Sequence, residues 1–152
     1  MILKGSQRGG GSQLARHLLN TDDNDHVTVH QLRGFVSDNL PDAFKEAHAV
    51  SRGTKCQQFL FSLSLNPPES ANVQIDVFKA TLSSIESKLG LSDQPRAVVL
   101  HEKYGRRHAH CVWSRIDADT MKSINLPHFK MKLRDISRQL YLEHGWEMPV
   151  GF

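Results

Sequence analysis

The spacing of apolar and polar positions changes several times along the chain, and each change marks an element. Val27, Val29 and Leu32 alternate with polar residues and predict a strand over 26–33, after a short strand at 2–4. The run 59–65 is strongly apolar and stops at Asn66-Pro67-Pro68, which reads as a third strand. Residues 96–101 are β-branched and apolar, and 108–114 form a second strand-like run beyond a turn containing Gly105, so the two predict a hairpin. Helical spacing occupies 13–20, 42–51 and 73–89, the last ending at Gly90. A final helix opens at Pro127 and runs to about 143, where Gly145 closes it. The resulting order, β-α-β-α-β-α-β-β-α, predicts an α+β fold with an antiparallel or mixed sheet and helices on its outer faces.

Composition narrows this picture only modestly. A length of 152 residues suits one domain spanning 1–152 with a core of its own, and no internal repeat is present. Nineteen Lys and Arg against 16 Asp and Glu give a net charge of +3, which permits an anionic partner without requiring one. Cys56 and Cys111 are too few for a disulfide scaffold, and no apolar run approaches the ~18 residues of a membrane span. The expectation is a soluble, cytoplasmic protein.

The richest chemistry lies in His101-Glu102-Lys103-Tyr104-Gly105-Arg106-Arg107-His108-Ala109-His110. With a loop at 103–106, His101 faces His108 across the hairpin, Glu102 faces Arg107, and His110 lies diagonally on the same face as the other two histidines. Directly opposed residues have Cβ atoms about 4.5 to 5.5 Å apart, so three imidazoles can reach one ion. Three protein ligands leave coordination positions open, as a catalytic metal requires, and imidazole favours Mn, Zn, Ni, Co or Cu over magnesium. The bland alternative is a histidine-rich hairpin without a ligand, in a chain that carries 9 His. Arg106 and Arg107 in the turn match a phosphate ester better than a neutral substrate.

Two further features bear on an anionic partner. On the last helix Lys130, Arg134 and Arg138 recur every four residues beside the apolar line Phe129, Leu133, Ile136 and Leu140; such a row tracks a phosphate backbone or is simply a solvated face. Lys4 and Arg8 flank glycines in Gly5-Ser6-Gln7-Arg8-Gly9-Gly10-Gly11-Ser12, a run that lets backbone approach a ligand or serves as a flexible linker. It lacks the spacing of a Walker loop. In the following helix His17 borders the buried stripe of Leu14, Ala15, Leu18 and Leu19.

Together, HEKYGRRHAH running into CVWSRID, the start KGSQRGGGSQLARHLLN, the SLSLNP strand end, LGLSDQPRAVVLHEK and LRDISRQLYLEHGW make the chain resemble the catalytic domain of plasmid-mobilisation relaxases, within the HUH endonuclease superfamily. The resemblance spans nearly the whole chain. It implies a five-stranded sheet flanked by helices, and transesterification of one phosphodiester in single-stranded origin-of-transfer DNA, with or without an adjacent hairpin. It also implies a divalent cofactor on His101, His108 and His110, Mn2+ first and Mg2+, Zn2+, Ni2+ or Co2+ as alternatives. The Ser-Arg tail adds Arg115 to the expected DNA contacts. Accessory relaxosome proteins, a coupling protein, a monomeric state, a bacterial cytoplasmic setting and further domains beyond this one follow from the same resemblance.

The chain departs from that family at one position. Where the first helix usually carries a nucleophilic tyrosine, LARHLLN carries His17, and the only tyrosines are Tyr104 and Tyr141. A neutral imidazole has an unshared pair and a reference pKa near 6.5, so it is available near pH 7. Attack by His17 would give a phosphoramidate on the 5′ side of the cut and a free 3′-hydroxyl. His26 and His30 are the competing nucleophiles. Glu102 is the nearest proton acceptor in sequence to a ligand, although alternation points it to the other face, and Asp22, Asp23 and Asp25 are near His17 in sequence only. Competing functions are a non-cleaving, metal-stabilised origin-binding module, or an HUH replication initiator or transposase.

Overall fold

The computed structural model describes residues 1–152. The elements are β1 (Ile2–Arg8), α1 (Gly11–Leu19), β2 (His26–Arg33), α2 (Leu40–Ser51), β3 (Leu60–Asn66), α3 (Ile75–Leu89), β4 (Arg96–Lys103), β5 (Arg106–Ser114), the two-residue strands β6 (Ile116–Asp117) and β7 (Lys122–Ser123), and α4 (Phe129–His144). Five strands form one sheet in the order β1-β3-β5-β4-β2, and every pairing is antiparallel. The fold is therefore α+β, with a wholly antiparallel sheet rather than a mixed one.

Strand alternation sends successive side chains to opposite faces, and both faces are covered. Phe61, Leu63, Leu65, Val98, Ala109, Cys111 and Trp113 pack under α3 and α4, the larger core. Leu60, Ala97, Val99 and Val112 pack under Leu14, Ala15 and Leu18 of α1 and Leu40, Phe44 and Ala47 of α2. The two cysteines are free, and Cys111 lies in the first core while Cys56 borders the second.

Most element ends fall close to the sequence expectation, and the exceptions have physical causes. The Gly/Ser run is no linker, because Gly5 to Arg8 extend β1 along β3. Gly5 is required there, since a Cβ would lie 2.6 Å from the Phe61 ring. The β4–β5 turn is tighter than predicted: Lys103 pairs with Arg106, and only Tyr104 (φ 52°) and Gly105 (φ 74°) turn the chain. Two consecutive positive φ values make a type I′ turn, the form whose twist matches a hairpin. Gly90 (φ 75°) and Gly145 (φ 65°) close α3 and α4 in the left-handed conformation, as their positions suggested.

One stabilising cluster carries no sequence signal. Glu86 of α3 is buried beneath the sheet and accepts hydrogen bonds from Arg33 (2.6 Å), Arg96 (2.8 Å) and the Trp113 indole (2.9 Å). These contacts bolt α3 to β2, β4 and β5 at the end of the sheet away from the histidine hairpin. Replacing Glu86 with Ala leaves the nearly buried Arg96 guanidinium uncompensated and should cost about 3 to 5 kcal/mol, read as a lowered midpoint in urea denaturation. A loss under about 1 kcal/mol would show that the guanidiniums regain water instead.

Candidate active site

The β4–β5 register places His101 opposite His108 and His110 opposite Val99, so the three imidazoles share the α1/α2 face of the sheet. The His101 and His110 ring centroids are 4.5 Å apart. Register continues the site outward: Ser64 pairs with His110 on one side and with Lys4 on the other. Ser62, Ser64 and Asn66 of β3, Ser6 and Lys4 of β1, and the histidines form a polar floor where this face is not closed by helices. The apolar–polar alternation of Leu60-Phe61-Ser62-Leu63-Ser64-Leu65-Asn66 would have revealed it.

Each histidine is held differently. His101 is 7% exposed, and its Nε2–H donates to the Leu18 carbonyl at 2.6 Å. That carbonyl belongs to the last turn of α1 and has no partner within the helix, so His101 satisfies an orphan acceptor and ties α1 to the sheet. His108 Nδ1 meets Asn66 Oδ1 at 2.9 Å. Burial and the charge of Arg106 lower the His108 pKa, with His101 adding a smaller push. His110 falls to about 4, chiefly through burial, then through repulsion from His101, His17 and His108. The last effect places His17, exposed on α1, within electrostatic reach of His110.

This donor set fits a divalent ion chemically. His108 and His110 are neutral at pH 7, as metal-binding imidazole must be, and they share a face with His101. As the side chains stand, no three His, Cys, Asp or Glu groups are gathered to hold an ion, and His101 Nε2 is spent on Leu18. Binding through that nitrogen requires His101 to release the helix carbonyl.

Other expected site residues are sorted by the same register. Arg106 lies on the histidine face, where its guanidinium donates to the Pro67 carbonyl and comes within 4.0 Å of Glu69. Arg107 pairs with Glu102 on the α3/α4 face, so it does not join the site. Glu102 stands on that face too, with the sheet between it and His17, and this removes it as proton acceptor. His26 pairs with Glu102, and His30, at a bulge between Val29 and Gln31, lines a recess with Phe78 and Leu82 of α3. Both competing nucleophiles are thus on the wrong face.

Lys4 is level with His110, whereas Arg8, opposite Leu60, is four residues or about 13 Å further along β1. Arg115 is 7% exposed and donates to the carbonyls of Gln58 (2.7 Å) and Ile124 (2.9 Å), so it braces loops rather than meeting DNA. Lys130, Arg134 and Arg138 are exposed on α4, which covers the opposite face; Arg134 donates to Gly151 and lies over the Phe152 ring. Tyr141 is buried against Trp146, and Tyr104 projects from the hairpin tip, 88% exposed. A cavity of about 720 Å3 lies at the other end of the sheet; Glu46, Asp93, Asp117 and Asp119 line it without any Lys or Arg, a lining that repels phosphate.

Residues 15–146 match the family model described as Relaxase: MobA/VirD2-like, nuclease domain, and the chain belongs to that family. No curated protein matches it. Relaxase nuclease domains are DNA-nicking endonucleases and transesterases that generally use a divalent metal and bind single-stranded origin DNA, and this chain is an enzyme of that class.

The depressed pKa of His110 makes metal-free stability fall in acid. Its folded-state pKa of about 4 lies below the unfolded value near 6.5, so the unfolded chain takes up the proton first as pH drops. The stability it contributes is complete above about pH 6.5 and is lost between there and about pH 4, amounting to a few kcal/mol at ~1.4 per unit. Urea midpoints measured across this window should fall steeply for the wild type and less steeply for His110→Asn; parallel curves would refute the assignment.

Proposed function

We propose that the chain nicks and religates one strand of single-stranded origin-of-transfer DNA, with His17 as the nucleophile, during mobilisation of a plasmid or other mobile element in the bacterial cytoplasm. The observation that carries this reading is the docking of α1 on His101, which keeps the exposed His17 on the helix covering the histidine face, within electrostatic reach of His110. The family match supports the reaction class. The absence of a tyrosine from α1, with Tyr141 buried and Tyr104 in the hairpin turn, supports histidine as the attacking group.

In the reaction the unprotonated ring nitrogen of His17 gives its lone pair to phosphorus, a P–N bond forms, the bond from phosphorus to the 3′ oxygen breaks, and that oxygen ends as a 3′-hydroxyl, its proton balanced by loss of the proton on the other ring nitrogen, which becomes acidic once the ring is phosphorylated. Religation is the reverse attack by a 3′-hydroxyl. A divalent ion held by His101, His108 and His110, Mn2+ by preference, would offset charge on the non-bridging phosphate oxygens. Arg106 and Lys4 hold the strand by its phosphates, and Ser62 and Ser64 offer hydroxyls along the floor. Accessory proteins and a coupling protein would bring the protein, acting as a monomer, to the origin.

A second reading is favoured by the His101–Leu18 hydrogen bond: an origin-binding module in which His101 caps α1 permanently and no strand is cut. One experiment separates the two. Incubation of the protein with an origin oligonucleotide and Mn2+ should give a covalent adduct by intact mass, with peptide mapping placing it on His17. His17→Ala should abolish the adduct while Mn2+ binding persists; an unchanged adduct rejects His17, and salt-dependent binding without an adduct under any divalent ion favours the module.

Salt dependence tests the strand path. Arg106→Ala and Lys4→Ala should each reduce the slope of log K against log salt by about 0.7, the value for one single-strand phosphate contact. Lys130→Ala, Arg134→Ala and Arg138→Ala should leave the slope unchanged, and a reduced slope there would redirect the strand over α4.

A further inference from the structure

We propose that Asn66 is a positioning residue that fixes His108 as the Nδ1–H tautomer and presents its Nε2 lone pair to the open sheet face. The hydrogen bonds around the Asn66 amide leave one consistent arrangement. Its Nδ2 donates to the Ile2 carbonyl at 3.5 Å and to Ser64 Oγ at 3.1 Å. A carbonyl only accepts, so the group facing Ile2 is the NH2 and the group facing His108 is Oδ1. Oδ1 also only accepts, so His108 Nδ1, 2.9 Å away, must carry the proton. In a neutral ring Nε2 is then the nitrogen with the free pair.

The same corner of β3 sets the neighbouring cation. Asn66 is followed by Pro67, whose carbonyl accepts from Arg106. Arg106 and His108 are two residues apart on β5 and therefore on one face. One dipeptide at the strand end thus orients both an imidazole lone pair and a guanidinium toward the same open floor. Asn66 itself is anchored by β1 through Ile2 and by its own strand through Ser64, so the pre-orientation is held by the sheet rather than by a loop.

His101 has the opposite tautomer, since its Nε2–H serves the Leu18 carbonyl. His108 is therefore ready to donate a lone pair from Nε2, while His101 must first surrender a helix contact. An outer partner of this kind, conserving ring orientation and tautomer, typically changes metal affinity 10- to 100-fold when removed. That consequence rests on the metal reading above; the tautomer assignment does not.

The test uses metal-free protein labelled with ring-15N histidine at about pH 8, where imidazole is neutral. Long-range 1H–15N spectra, with His108 assigned from a His108→Gln variant, should show the Nδ1–H tautomer in the wild type and in Asn66→Asp, which keeps an acceptor. Asn66→Ala should move His108 to the Nε2–H form, and Asn66→Leu, close in volume and without an acceptor, serves the same purpose should alanine unfold the corner. Titration with Mn2+ alone should show binding weakened about 10- to 100-fold in the variants lacking the acceptor and restored by Asp. Persistence of Nδ1–H without the acceptor, or an Nε2–H wild type, overturns the proposal. Mn2+ binding that is absent in wild type, with the tautomer change observed, leaves the Asn66 assignment standing and removes the metal from the functional reading.

Discussion

The antiparallel register of β4 on β5 is the constraint from which the site follows. Side chains of a strand alternate with a period of two, so a slip of one residue would send every member of the site to the other face. With Lys103 paired to Arg106, the two-residue turn at Tyr104 and Gly105 leaves His101, Arg106, His108 and His110 together and sends Glu102 and Arg107 away. The turn is held from outside as well: the Tyr104 amide donates to the Asp25 carboxylate at 2.9 Å. Neighbouring strands lock the parity from both sides, with Val27 on His101 and Ser64 on His110.

The sheet divides its labour between faces and ends. One face is closed by α3 and α4 over the larger core, and the buried Glu86 with its two arginines and Trp113 pins it at the far end. The other face is closed by α1 and α2 only in part, which leaves the serines, Asn66 and the histidines in a half-open floor. His101 belongs to both regimes. Its ring is buried like a core residue, yet its one hydrogen bond holds the helix that carries His17. Stability and geometry of the site are coupled through that single nitrogen, so any ligand that claims it also loosens the end of α1.

Much of this was legible in local pattern. Glycines at 90 and 145 closed helices where the periodicity ended, and the opposed spacing of the three histidines predicted their common face. The basic residues were the poorest guide. Lys130, Arg134 and Arg138 make a regular stripe, yet α4 sits over the face away from the histidines; Arg115 looks like an anion contact, yet two backbone carbonyls take its guanidinium. A charge at a given spacing says which residues are neighbours on one element, and nothing about which side of the sheet that element covers.

The amino-acid sequence by itself determined the four helices and the strands of the main sheet, the family, the hairpin and the parity of its histidines, while β6, β7 and the full length of β1 escaped it, because periodicity and turn chemistry act over a few residues. Only the tertiary structure decided which candidates share the site. The sheet order put β3 beside β5, so Asn66 reached His108; the packing of α1 put the Leu18 carbonyl over His101 and His17 within electrostatic reach of His110; and the register of edge strand β2 set His26 opposite Glu102, while His30 at its bulge lines a recess with α3. These are contacts between residues tens of positions apart, set by how whole elements stack, and no local spacing encodes them.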